Sequence, residues 1–170
     1  MRNKLKGTQR IALCGLLTAI MLVLGYVESL IPLGVPGIKL GLSNSVLLFA
    51  LYMLNIPTAF VLMLLKVGLS GVLFGGVQAM AYALAGGLLS LTGMALLSRG
   101  KGIHPVTVSI TGGVLHNVGQ VGMAMLILHT QMLVYYMAVL ILAGLACGAL
   151  TGVAAAAVMK HLKTLRRWHG

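Results

Sequence analysis

Long apolar stretches limit what this chain can fold into more than any other feature. Hydrophobic residues make up 59% of the sequence and charged residues only 8%, and the mean hydropathy is +1.06. A helix of about 20 apolar residues matches the hydrocarbon thickness of a bilayer. Backbone polar groups must be satisfied internally in lipid, and the stretches show no alternating pattern. We therefore predict an all-α membrane protein.

The pattern divides into six predicted transmembrane helices that form one compact bundle, a single membrane domain over residues 1–170. The predicted spans are residues 11–31, 40–56, 57–75, 77–98, 105–128 and 132–159. Pro57 and Pro105 lie where helices are expected to begin, because proline in the first turn loses no helical hydrogen bond. Little sequence remains for a water-soluble domain.

The positions of the basic residues predict the orientation of the bundle. Most of the twelve lysines and arginines lie before the first span, between the fourth and fifth, or after the last. With six spans these clusters share one side, so both termini are predicted to be cytoplasmic in a multi-pass protein of a prokaryotic cytoplasmic membrane. The net charge of +11 is then explained by the orientation signal and by attraction to anionic membrane lipid, so no nucleic-acid partner is needed to account for it. A cleaved signal peptide is the alternative at the N-terminus, although no clear cleavage site follows the apolar segment.

Two lysines lie apart from these clusters, Lys39 at the predicted outer membrane edge and Lys66 near the middle of a span. An ionisable residue inside a membrane is a candidate for function. The structural alternative is an ion pair with Glu28, the single carboxylate of the chain, made by Lys66 or by Lys39. If one of the two lysines pairs with Glu28, the other would favour binding of an anionic or carbonyl-rich small molecule.

The fifth span carries most of the polar residues. Gly112, His116 and Gln120 are spaced four apart and Asn117 lies beside them, so their side chains share adjoining stripes of one helix face. This face either holds helices together through hydrogen bonds or lines a ligand site. Asn44 opens the second span, where side chains cap and backbone N–H groups favour anions. The predicted ligand-binding residues are Lys39, Asn44, Lys66, Ser90, His116, Asn117 and Gln120.

Small residues recur every four positions in several spans. Gly144, Gly148 and Gly152 form such a ridge in the last span, and Gly15 and Ala19 a shorter one in the first. Small residues let helices approach closely in lipid. The ridges either pack the bundle internally or dock another membrane subunit. The two cysteines lie inside spans and suggest no metal site, and we predict no metal or cofactor.

Four segments resemble the signature stretches of the Gx transporter family, whose members are often labelled heptaprenyl diphosphate synthase component I. They are Glu28-Ser-Leu-Ile-Pro32, Pro36-Gly-Ile-Lys-Leu-Gly-Leu-Ser-Asn44, Gly86-Gly-Leu-Leu-Ser90 and His116-Asn-Val-Gly-Gln120. The resemblance covers roughly residues 11–158. It implies the fold of the substrate-binding S components of energy-coupling factor (ECF) transporters, with an outward-facing pocket. It also implies ECF coupling (T) and ATPase subunits as partners, with Gly15 and Ala19 docking the coupling subunit.

The two labels of this family imply different functions. Prenyl diphosphate synthesis needs clustered carboxylates to hold magnesium, and the chain has one carboxylate. It also lacks a GxxxxGK[ST] loop for ATP. We therefore do not expect it to be an enzyme by itself. The preferred hypothesis is a substrate-binding subunit for uptake of a vitamin-like or isoprenoid-related compound. The alternative is a non-catalytic membrane subunit in isoprenoid or quinone metabolism, with a prenyl synthase or redox partner, and a purely structural scaffold is the third.

Overall fold

The computed structural model describes residues 7–31 and 41–168, with side chains described as far as residue 161. The prediction of an all-helical protein is confirmed over these residues. In chain order the helices are α1 (Gly7–Ser29), α2 (Asn44–Met53), α3 (Ile56–Ser70), α4 (Gly76–Leu97), α5 (Pro105–Leu128) and α6 (Leu133–Trp168). A π-helical segment, Gly71–Gly75, joins α3 to α4. Helices α3 and α5 have proline in their first turn, as predicted.

Four helical stretches are long and apolar enough to cross a membrane. They are Gly7–Ser29, Ile56–Leu97, Pro105–Leu128 and Leu133–His161. The second, with 42 residues, comprises α3, the π-helical segment and α4.

The 42-residue stretch is a hairpin. A Cβ added at Gly71 would lie 2.9 Å from the Met80 side chain, and one added at Gly87 would lie 3.0 Å from Met63. These contacts pair residues at increasing distance from Gly76, so α3 and α4 run antiparallel. Gly76 has a φ of +72°, which side-chain-bearing residues rarely adopt. The chain therefore reverses at this glycine, and α3 and α4 are two separate helices.

Helix α2 is shorter than the predicted span of residues 40–56. It has ten residues and is therefore about 15 Å long, half the hydrocarbon thickness of a bilayer. Gly41 precedes it in a turn with a φ of +89°, and the Asn55 side chain accepts a hydrogen bond from Thr58 N to start α3. No residue of α2 is exposed, and α2 contacts all five other helices. It is the central helix of the bundle.

The glycine ridge of α6 packs against α5. A Cβ added at Gly113 would lie 2.6 Å from the Gly144 carbonyl oxygen, and one at Gly148 would lie 2.7 Å from the Ile110 Cα. Gly152 likewise lies against Val106, so the two helices are antiparallel. Of the two roles considered for this ridge, the structure supports internal packing, because bulkier residues would separate the backbones.

Helices α1 and α3 run parallel. Arg10 at the start of α1 donates a hydrogen bond to the Thr58 hydroxyl at the start of α3, whereas Gly25 near the end of α1 faces Ser70 at the end of α3. Because α4 is antiparallel to both α3 and α5, the start of α1, the α4–α5 connection and the end of α6 share one end of the bundle. We call this the basic end, since the exposed cations Arg10, Arg99, Lys101 and Lys160 belong to these segments.

Candidate ligand-binding site

Polar side chains from α1, α2, α3 and α5 meet inside the bundle. Glu28, Asn44, Lys66, His116 and Gln120 are each at most 6% exposed. Burial of such groups is costly in lipid unless they are hydrogen-bonded or serve a function. Their convergence confirms no role by itself, but it places four of the predicted ligand-binding residues in one region.

Glu28 caps the start of α2 from the end of α1. Its Oε1 accepts a hydrogen bond from Leu42 N, and its Oε2 accepts one from the Ser43 hydroxyl at 3.4 Å. Ser43, which precedes the first residue of α2, makes no side-chain cap of its own. A carboxylate is favourable here because the N-terminus of a helix carries a partial positive charge. Glu28 therefore ties two helices together across the connection between them.

We expect Glu28→Ala to destabilise the fold by about 2 to 4 kcal/mol, because it leaves the Leu42 N–H buried without its acceptor. Glu28→Gln keeps one acceptor oxygen and should lose about half as much. Thermal unfolding in detergent measures both. Ser29→Ala, at the exposed neighbouring position, is the control. An alanine variant at position 28 that unfolds with this control would contradict the capping role.

Lys66 and Asn44 connect α3 to α2. Lys66 Nζ donates to Asn44 Oδ1 at 3.5 Å. An ammonium group has no acceptor, so the amide atom that faces it must be the oxygen. Asn44 Nδ2 then points elsewhere, and it is buried with no hydrogen-bond partner among the described residues. The structure thus links Glu28 to Lys66 through Ser43 and Asn44, and the direct Glu28 to Lys66 ion pair stays a prediction.

His116 and Gln120 lie one turn apart on α5 and are joined by a hydrogen bond between their Nε2 atoms. Two glycines make room for the imidazole. A Cβ added at Gly86 of α4 would lie 2.9 Å from His116 Nδ1, and one added at Gly41 would lie 3.1 Å from His116 Cδ2 and 2.9 Å from Asn44 Nδ2. The amide of Asn44 and the imidazole therefore border the same small space beside Gly41.

A narrow cleft opens beside these polar groups, and its empty space includes open solvent at the mouth. Its polar lining residues are Lys66, Ser70, His116 and Gln120. Its apolar lining residues are Gly25, Gly71, Gly75, Ala79, Met80 and Ala83. A cleft of this kind suits a ligand with a polar head group and an apolar remainder.

The π-helical segment contributes apolar residues to the lining of the cleft. Gly71 and Gly75 belong to it and both line the cleft. Short π-helical segments occur often at functional sites. The sequence signalled this segment only as two glycines four residues apart, which are also typical of ordinary helix packing.

Among the described residues, three predicted ligand-binding residues do not line the cleft: Asn44, Ser90 and Asn117. Asn117 is turned towards α6, where Nδ2 donates to the Leu140 carbonyl at 2.6 Å. Ser90 is fully buried beside Gly112, between α4 and α5. Lys39 lies outside the described residues. Asn44 adjoins the cleft through Lys66, while Lys66, His116 and Gln120 line it.

The predicted docking residues of α1 face away from the bundle. Gly15 and Ala19 are exposed, and no heavy atom lies within 4 Å of a Cβ added at Gly15. Their role in binding a partner stays a prediction. Among the described residues, no group of three His, Cys, Asp or Glu side chains could hold a metal ion.

The profile of the family described as heptaprenyl diphosphate synthase component I matches residues 17–158. The chain belongs to this family. The match runs from α1 to α6 and includes every residue of the cleft, so the predicted resemblance to this family is confirmed. No curated protein and no solved structure matches the chain. The description names a component of a heptaprenyl diphosphate synthase.

Proposed function

We propose that this chain is a non-catalytic membrane subunit of a prenyl diphosphate synthase assembly, and that it binds a small amphipathic ligand in the cleft. The observation that carries the proposal is the buried cation Lys66 in a cleft whose lining contains both polar and apolar residues. A scaffold would gain stability from an apolar residue at this position, because burial of a charge is costly. The family match supplies the class of partner.

The lack of catalytic groups supports an accessory role. Magnesium-dependent prenyl transfer needs several carboxylates at one site, and the chain has only Glu28. Both oxygens of this carboxylate accept hydrogen bonds at the start of α2. Chain elongation is therefore the work of a partner subunit in this proposal.

The proposed topology follows from the basic end. If α1, α3, α4, α5 and α6 cross the bilayer and α2 lies within the bundle as the sixth segment, the positive-inside rule places the basic end in the cytoplasm. A soluble catalytic subunit would then meet the membrane on that side. The cleft lies beside Gly25, Ser70 and Gly75, towards the opposite end of α1 and α3.

Co-purification from the native membrane tests the proposed assembly. We expect the tagged full chain to recover a soluble prenyl diphosphate synthase subunit, and the pair to bind the membrane together. Recovery of an ATPase and a transmembrane coupling subunit, without a synthase, would contradict this proposal. A tagged membrane protein of similar size controls for non-specific recovery.

The second candidate is an S-component-like uptake subunit energised by separate ATPase and coupling subunits. The exposure of Gly15 and Ala19 on α1 favours it, because small residues on an unpartnered face permit close approach of a second membrane helix. The same co-purification discriminates between the two candidates. In both, the cleft holds the ligand.

A further inference from the structure

The buried amide of Asn44 has one hydrogen-bonding group left to use. Its oxygen accepts from Lys66 Nζ, whereas Nδ2 has no partner among the described residues although Asn44 is only 5% exposed. A buried donor without an acceptor destabilises the protein, because it has lost its hydrogen bond to water. The cost is recovered when a ligand supplies the acceptor.

The surroundings of Asn44 Nδ2 define where that acceptor would lie. Nδ2 packs beside Gly41 and the His116 ring, because a Cβ added at Gly41 would lie 2.9 Å from Nδ2 and 3.1 Å from His116 Cδ2. Asn44 is not among the residues that line the cleft, but its neighbours His116 and Lys66 are. An oxygen atom of a ligand in the cleft would reach the start of α2, where a helix N-terminus also favours negative charge.

The buried charges limit how negative this ligand can be. Glu28 and Lys66 are the buried charged residues among the described side chains, so these side chains contribute one negative and one positive group to the region. Glu28 lies one hydrogen bond from Ser43, the residue before Asn44. A diphosphate would bring several negative charges next to this carboxylate, at a large cost in a medium of low dielectric constant. A carbonyl or a single carboxylate would bind one donor, Asn44 Nδ2, and one cation, Lys66, without this repulsion.

We infer that Asn44 Nδ2 is a ligand-binding donor that recognises one oxygen-acceptor group, a carbonyl or carboxylate on an apolar body, and that the cleft excludes diphosphates. This inference rests on the proposed function only in taking the cleft as a ligand site. It assigns the head-group class from the amide orientation and the charge balance. It also separates the ligand of this subunit from the diphosphate substrate of a synthase.

Three compounds with the same tail test the head group: geranic acid, geraniol and geranyl diphosphate. Binding to the detergent-purified full chain is measured by thermal shift and by native mass spectrometry. We expect geranic acid to bind most tightly and geranyl diphosphate at least about tenfold more weakly, equivalent to about 1.4 kcal/mol. Tighter binding of the diphosphate, or no binding of geranic acid, would overturn the inference.

Two substitutions test the role of Asn44. Asn44→Asp replaces the donor by an acceptor of the same shape, and Asn44→Ala removes the amide without adding charge. Both should weaken geranic acid binding about tenfold or more. Ser109→Ala, which removes a buried hydroxyl between α5 and α6, is the control and should leave binding unchanged. Wild-type affinity in both Asn44 variants would show that Nδ2 holds at most a water molecule.

The outcome is separable from that of the proposed function. If a synthase subunit co-purifies with Asn44→Asp but geranic acid binding is unaffected, the inference fails and the proposed assembly stands. If geranic acid binding depends on Asn44 but no synthase is recovered, the assembly fails and the head-group assignment stands.

Discussion

Gly148→Ala should destabilise the protein by about 1 to 3 kcal/mol, which is the range for forcing extra atoms into a packed interior. The added Cβ would lie 2.7 Å from the Ile110 Cα and 3.0 Å from the Ser109 carbonyl oxygen. Both are backbone atoms, so no side-chain rotation can relieve the contact. Helices α5 and α6 would have to separate, and the hydrogen bond from Asn117 to Leu140 joins the same two helices.

Gly122→Ala on α5 is the matched control for this prediction. No heavy atom lies within 4 Å of a Cβ added at Gly122, and alanine is about 1 kcal/mol more favourable than glycine in a helix. This variant should be neutral or slightly more stable. A thiol-reactive dye can report thermal unfolding of both variants, since Cys14 and Cys147 are partly buried. Equal melting temperatures would contradict the close packing of α5 on α6.

Lys66→Met should weaken ligand binding strongly while leaving the fold as stable as the wild type or more so. Methionine keeps the length of the side chain but removes a buried charge, which is often neutral or stabilising. A charge-assisted hydrogen bond to a ligand contributes about 1.5 to 3 kcal/mol. Its loss corresponds to a decrease in affinity of about tenfold to 100-fold.

The same variant discriminates between a functional and a structural Lys66. If Lys66 serves mainly to neutralise Glu28, its removal leaves a buried carboxylate uncompensated and should cost about 3 to 5 kcal/mol. Thermal unfolding and geranic acid binding are measured on one preparation. Lys101→Met, at an exposed position of the basic end, controls for loss of a positive charge. Loss of stability together with retained binding would show a structural role.

Helical periodicity predicts that His116 and Gln120 share one helix face, because they are four residues apart, and the structure joins them by a hydrogen bond. The sequence predicts Asn117 beside them, yet its amide faces α6, because consecutive residues on a helix point about 100° apart. The role of each polar side chain depends on which helix packs against it, and a single sequence does not show which helices are neighbours.

The central position of α2 could not be read from the sequence. Its residues are apolar enough for a membrane span, but its short length follows from the turn at Gly41 and the cap that Asn55 forms for α3. The cap by Glu28 is a contact between two helices, so no local pattern signals it. The glycine ridge of α6 was visible in the sequence, whereas its partner α5 was identified only by the packing.

The binding of a small molecule inside the bundle is tested most directly by native mass spectrometry of the full chain. The protein is purified gently from its own membrane with no ligand added. We expect one small molecule bound per chain, carrying a single carbonyl or carboxylate head group, retained in Lys101→Met and absent from Lys66→Met. An empty wild-type protein, or the same bound molecule in Lys66→Met, would contradict a ligand site at Lys66.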